Sequence, residues 1–256
     1  MTLFNTAKHK AVESEDGSYT AYSKEYNEHY HSTKDGALSE SLYKHVVPAF
    51  KLTQDKDSLA ILDICYGLGF NTLATILYYK EHTPKKKLSI YSPELDAELI
   101  YSLKDFIYPK EFEGLREIIE TLSREQKYED EQLCIELFLG NAREYIKEFE
   151  NHFDIVYQDA FSPSSNPVLW TKEYFGDIKK AMKEDAVLTT YSTALKTRLA
   201  LYENDFLIYI NEGEQFRNAT LASRKELEGY KRVDIEHKIS CNPDVKPLSD
   251  AELGVN

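Results

Sequence analysis

The stretch Leu59-Ala-Ile-Leu-Asp-Ile-Cys-Tyr-Gly-Leu-Gly-Phe-Asn-Thr-Leu-Ala74 is an apolar run that enters Gly67-x-Gly69 and leaves through Asn71 into a helix-like segment. An apolar strand opening through glycines onto a helix is how a Rossmann-type sheet presents its first turn to an adenosine-bearing cofactor. Without a Cβ, Gly67 and Gly69 let the backbone turn tightly and approach a ligand closely. The pattern lacks the third glycine of the dinucleotide fingerprint and the Lys-Ser/Thr of a phosphate-binding loop. With no cradle for a pyrophosphate, S-adenosylmethionine is favoured over NAD or ATP.

Outward from this turn, apolar strand patterns alternate with helical ones. Strands are expected at 59–65, 87–91, 133–139, 153–158, 186–191, 206–210 and 218–222, and helices near 71–80, 97–106, 142–149 and 171–182. Such alternation indicates an α/β fold with a mainly parallel, doubly wound sheet. The last two strands lie close together around Gly213 and suit a terminal antiparallel hairpin. Residues 38–50 place Leu38, Leu42, Val46 and Val47 near helical spacing, ending by Pro48. The charged segment 104–132 exceeds one crossover and reads as additional helix or loop. Three regions are expected: an N-terminal extension (1–57) with turn signals at Asp16-Gly17 and Asp35-Gly36, a cofactor-binding domain (58–225), and a charged, partly ordered tail (226–256).

The 256 residues suffice to bury a full core. No apolar run reaches a membrane span, and the N-terminus has no signal-peptide pattern. Cys65, Cys134 and Cys241 show no metal spacing and suit a reduced, cytoplasmic setting, so no metal is expected. The formal charge of −13 opposes broad nucleic-acid binding, which needs Lys and Arg for phosphate. Local basic groups at Lys172, Lys179, Lys180, Lys183, Lys196 and Arg198, or at Arg217, Arg224 and Lys225, are candidate RNA contacts or ordinary solvated helix charges.

Ligands of open α/β sheets sit beyond the carboxyl ends of the strands. After the second strand, Glu94 is the candidate acceptor for ribose hydroxyls and Asp96 its competitor, the latter better suited to a helix N-cap. After the third strand, Asn141 is either an adenine contact or an N-cap. After the fourth comes Asp159-Ala-Phe-Ser-Pro163, with Pro167 beyond it. A carboxylate here attracts and orients a cationic amine, or caps a turn. With a reference pKa of about 3.9, Asp159 is a weak base for an amine near 10, so orientation and electrostatic stabilisation are its expected roles.

With these residues placed, the chain resembles the methyltransferase half of MnmC, the bifunctional enzyme of 5-methylaminomethyl-2-thiouridine biosynthesis in tRNA. The resemblance runs from Asp16-Gly17-Ser18-x-Thr20-x-Tyr22-Ser23 through Glu28-His29-Tyr30-His31-Ser32, Asp35-Gly36-Ala37 and Glu40. It continues through Gly67-x-Gly69-x-Asn71, Glu94-Leu95-Asp96, Gly140-Asn141-Ala142-Arg143-Glu144 and Asp159-Ala-Phe-Ser-Pro163. It ends with Asn166-Pro167-x-x-Trp170-Thr171, Thr190-Tyr191-Ser192 and Phe216-Arg217-Asn218-Ala219-Thr220-Leu221-Ala222. The Tyr-His-Ser block and the Asp159–Trp170 loop are its most specific parts.

The resemblance implies a Rossmann-like class I methyltransferase that transfers a methyl group from S-adenosylmethionine to the exocyclic amine of 5-aminomethyl-2-thiouridine at the tRNA wobble position. It implies that Gly67, Gly69, Asn71 and Glu94 hold the cofactor, with Asn141 near adenine. Asp159 would face the aminomethyl group, and Tyr30, His31 and Phe161 would shape the pocket. Phe161, Tyr191 and Trp170 are candidates to stack on an extruded anticodon-loop base. Asn141 stands where an Asp is common. The chain stops where the oxidase half of the fused enzyme would begin, so it resembles a stand-alone methyltransferase whose aminomethyl precursor comes from separate enzymes. Two rivals remain: an aminopropyltransferase of the spermidine-synthase kind, which the acidic charge would suit, and a non-catalytic cofactor-binding partner of a tRNA-modifying complex.

Overall fold

The computed structural model describes residues 7–15, 17–34, 36–214 and 216–255. Asp16 and Asp35, read above as turn residues, lie outside the described residues. The chain opens with a small antiparallel sheet of β1 (His9–Glu13), β2 (Tyr19–Ser23) and β3 (Glu28–His29). A helical segment follows, made of α1 (Ala37–Glu40), a π-helical turn (Ser41–Val46) and α2 (Val47–Leu52).

The main sheet takes its parallel strands from β4 (Ser58–Ile64), β5 (Lys87–Glu94), β7 (Leu133–Leu139), β8 (Phe153–Gln158) and β9 (Met182–Thr190). Antiparallel β6 (Lys127–Glu129) closes one edge. The hairpin β10 (Leu207–Gly213) and β11 (Phe216–Ser223), with β12 (Lys231–Arg232), closes the other. The order β12-β10-β11-β9-β8-β4-β5-β7-β6 is that of a doubly wound sheet with a terminal hairpin. The chain reverses direction across the sheet at β4, the topological switch point where ligands of such folds bind.

Period-two alternation in β4 divides its side chains between two cores. Leu59 and Ile61 join the core under α3 (Phe70–His82), α4 (Ala97–Ser102) and α5 (Arg116–Glu125). Leu62 and Ile64 join the core under α6 (Ala142–Ile146), α7 (Lys172–Ala181) and α8 (Leu195–Tyr202). Asp63, between them, points to the α3 side, where Thr72 donates to it.

The segment after Lys225, expected to be a charged, partly ordered tail, carries more regular structure than its composition suggests. It forms β12, α9 (Ile235–Cys241) and α10 (Asp250–Leu253), and Arg143 grips Asp250 with its two terminal guanidinium nitrogens, Nη1 and Nη2. A long-range ion pair of this kind has no signature in local composition. Among the described residues no helix is long and apolar enough to cross a membrane.

Candidate active site

A cavity of about 330 Å³ opens at the carboxyl ends of β4, β5, β7 and β8, and the small N-terminal sheet roofs it. Beyond β4, alternate residues Cys65, Gly67 and Gly69 take positive φ of 64°, 54° and 78°. This left-handed path turns the Gly67 N–H onto Glu94 Oε2 at 2.9 Å. Glu94 Oε1 accepts from the Asp96 N–H at 2.9 Å. Burial pushes the Glu94 carboxyl up, and these two backbone donors partly offset it. Asp96 instead caps α4 through the Leu99 N–H and pairs with Lys8. Glu94 therefore reaches the cavity with its carboxylate oriented and acceptor capacity to spare.

The two glycines and Asn71 differ in place. Gly67 lines the cavity, and a Cβ there would sit 3.0 Å from Tyr30 Cδ1. Gly69 and Asn71 do not line it. Gly69 makes room for Tyr66, whose Cζ lies 2.7 Å from where a Cβ would be. Asn71 is drawn behind the wall because its amide bridges two carboxylates, at 2.7 Å to Asp159 Oδ2 and 3.4 Å to Asp63 Oδ1. Asn141 lines the cavity and also caps α6, its Oδ1 accepting from the Arg143 N–H at 2.9 Å.

Asp159 lies at the end of β8 with its side chain 13 % exposed. Burial alone would push its carboxyl up. Neighbouring His45 and the Asn71 hydrogen bond outweigh burial and hold it below the usual carboxylate range. The loop after Asp159 is tied down at several points. Trp170 Nε1 donates to the Phe161 carbonyl at 2.7 Å, and the Ser162 hydroxyl donates to Glu28 at 2.8 Å. The Tyr191 hydroxyl donates to the Ala160 carbonyl at 3.0 Å. Trp170 is 1 % exposed and absent from the lining, so it anchors the loop from the core and is not a stacking face.

Tyr30, His31, Phe161 and Tyr191 all line the cavity. Phe161 stacks on Tyr26 with ring centroids 4.6 Å apart, and it packs obliquely on Tyr30. Tyr30 hydrogen-bonds His9 at 2.9 Å. Burial lowers the His31 pKa and so favours the neutral ring, whose Nδ1 has no hydrogen-bond partner among the described residues.

Sequence reading did not single out His45, although its spacing from Leu38 and Leu42 put it on the apolar face of that helix. It is fully buried beside Asp159, at 3.6 Å from Nε2 to Oδ1. Glu28 and Glu40 also line the cavity and were noted only within the resemblance. Six carboxylates face this space, from Glu25, Glu28, Glu40, Glu94, Asp96 and Asp159, against Lys8 as its sole Lys or Arg among the described residues. Such a field favours cations. The basic groups proposed for RNA are largely neutralised: Lys172, Lys179, Lys180, Lys183, Arg224 and Lys225 each pair with a carboxylate. No cluster of three or more His, Cys, Asp or Glu able to hold a metal occurs among the described residues.

Residues 112–225 match a family model described as S-adenosyl-L-methionine-dependent methyltransferase. The crystal structure of MnmC2 from Aquifex aeolicus superposes with a TM-score of 0.84 at 33 % identity, covering 98 % of this chain and 82 % of that one. The chain belongs to the MnmC2-type methyltransferases. S-adenosylmethionine is the methyl donor of this family. The glycine-lined approach at Gly67 and the oriented Glu94 carboxylate fit its adenosine portion. The protein MJ0670 of Methanocaldococcus jannaschii is 32 % identical over 94 % of this chain. A tRNA 5-methylaminomethyl-2-thiouridine biosynthesis bifunctional protein MnmC from Azoarcus is 27 % identical over 75 % of it. The chain spans 62 % of the first relative and 32 % of the second.

Proposed function

We propose that this MnmC2-type methyltransferase methylates the exocyclic amine of 5-aminomethyl-2-thiouridine at the wobble position of tRNA. The observation that carries this reading is the Asp159 carboxylate, bonded by the Asn71 amide at 2.7 Å and held at the wall of an acidic cavity at the switch point of the sheet. An alkylammonium is attracted to that field, and Asp159 orients it by a charge-assisted hydrogen bond. The same depressed pKa makes Asp159 a poor proton acceptor, so it binds and aligns the amine while the proton leaves to solvent.

When bound, the cofactor supplies an electrophilic methyl carbon on a sulfonium. Glu94 would receive its ribose hydroxyls, Gly67 would allow close backbone approach, and Asn141 would offer its amide N–H to the adenine edge. Positive charge would build on the amine nitrogen as it takes up the methyl group, and Asp159 would stabilise that charge. Phe161, Tyr26, Tyr30 and Tyr191 form an aromatic wall against which an extruded base can stack. The anticodon loop is the expected RNA partner, since its unpaired bases cost least to extrude. With most helix cations paired, recognition rests on the base in the cavity more than on a broad phosphate-binding face.

The test combines purified protein, S-adenosylmethionine and tRNA from cells lacking this methylation, with nucleosides read by mass spectrometry. Conversion of 5-aminomethyl-2-thiouridine to its methylamino form supports the reading. Cofactor binding without conversion refutes it, and aminopropylation of a diamine by the decarboxylated cofactor would put the polyamine enzyme in its place.

A further inference from the structure

We propose that His45 is a positioning residue that holds the Asp159 carboxylate in register for the amine. This rests on the function proposed above. His45 is carried by the π-helical turn Ser41–Val46 between α1 and α2. Such single turns inside helices recur at functional sites, because the extra residue re-aims a side chain. Here the result is a fully buried imidazole set between β9 and the end of β8. Its ring meets Tyr157 edge-on, with centroids 5.6 Å apart. His45 does not line the cavity, so it can act on substrate only through Asp159.

Hydrogen-bond accounting favours one place for the ring's proton. His45 Nδ1 lies 2.7 Å from the Thr189 hydroxyl. That hydroxyl is buried, and its proton has no other acceptor among the described residues, so it donates to Nδ1. The imidazole proton then sits on Nε2, pointing at Asp159 Oδ1. The 3.6 Å separation is longer than a hydrogen bond. Contacts of this kind often tighten only in the loaded complex. With Asn71 donating to Oδ2, Asp159 is held from two sides and keeps one exposed edge for the amine. The charged or titratable groups that face His45 include Asp159, Asp63, His31 and Tyr157.

The experiment has two arms. In the first, ¹⁵N NMR of the protein without tRNA locates the His45 proton, and a proton on Nε2 is expected. A ring bearing its proton on Nδ1 alone overturns the proposal, whatever the substrate proves to be. In the second, methylation by H45Q and H45N is compared. Gln places an N–H near the Nε2 position, whereas Asn reaches only toward Thr189. H45N should lower kcat about 100-fold, as a misplacement near 1 Å does, with cofactor affinity unchanged. H45Q should recover most of that loss, and H45N should add nothing in a D159N background. Equal losses in H45Q and H45N, or additive losses with D159N, overturn the proposal. If wild-type protein does not methylate the aminomethyl base, the function is wrong and the NMR arm alone decides the placement of His45.

Discussion

The different surroundings of the two glycines after β4 can be tested by adding one methyl group to each. At Gly69 the backbone has φ 78°, and a Cβ would lie 2.7 Å from Cζ and Oη of Tyr66, itself only 5 % exposed. Left-handed backbone costs an L-residue about 1–2 kcal/mol, and forcing a buried ring aside costs about 1–3. The stiffer unfolded chain returns about 0.5–1 kcal/mol. Gly69→Ala should therefore destabilise by about 3 kcal/mol, or about 6–12 °C in Tm for a chain this size. Cofactor affinity should change little, since Gly69 is not in the cavity wall. Gly67→Ala meets Tyr30 at the looser 3.0 Å but disturbs the N–H that orients Glu94. It should cost about 1–2 kcal/mol of stability and weaken S-adenosylmethionine binding at least about tenfold. Urea unfolding and calorimetric titration measure both quantities. A Gly69→Ala protein with unchanged Tm and a larger loss of cofactor affinity than Gly67→Ala would refute the reasoning.

Two further predictions concern stability. Burial pushes the Asp63 carboxyl up to about 7, despite the Thr72 and Asn71 donors. An acid that binds its proton more tightly when folded makes stability fall as pH rises from its unfolded to its folded pKa, here by about 4 kcal/mol between about pH 4 and pH 7. Asp63→Asn should flatten that slope in urea midpoints taken across the window, and a flat wild-type profile would contradict it. Arg143 donates to the Val168 carbonyl, the Thr171 hydroxyl and Asp250. Arg143→Met should cost about 2–3 kcal/mol and expose the C-terminal segment to limited proteolysis, and an unchanged cleavage pattern would show that the segment docks without it.

The central fold was legible because buried parallel strands read as apolar runs and their helices as amphipathic stretches. Thus 133–139 and 153–158 emerge with the boundaries expected, and α3 within two residues at each end. Glu94 and Asp159 were legible for a related reason: strand ends of such a sheet converge on one rim. The N-terminal sheet was not, since its strands of five, five and two residues are short and polar and are defined by pairing with one another. Helix α8 was missed because Ala194 offers no side-chain cap and its apolar residues do not confine themselves to one face. No local periodicity encodes the π-helical turn, so the depth and partners of His45 stayed hidden. The partners of Asn71 stayed hidden for a similar reason, since Asp63 and Asp159 belong to two different strand ends.

The central claim is that Asp159 aligns an aminomethyl group for methyl transfer, and single-turnover kinetics test it most directly. Wild-type and Asp159→Asn proteins, each saturated with S-adenosylmethionine, would be mixed with an anticodon stem-loop carrying 5-aminomethyl-2-thiouridine. The account predicts transfer to the amine by the wild type, and in the variant a rate at least about 100-fold lower with cofactor affinity preserved. Equal rates in the two proteins, or methyl transfer to any atom other than the exocyclic nitrogen, would contradict it.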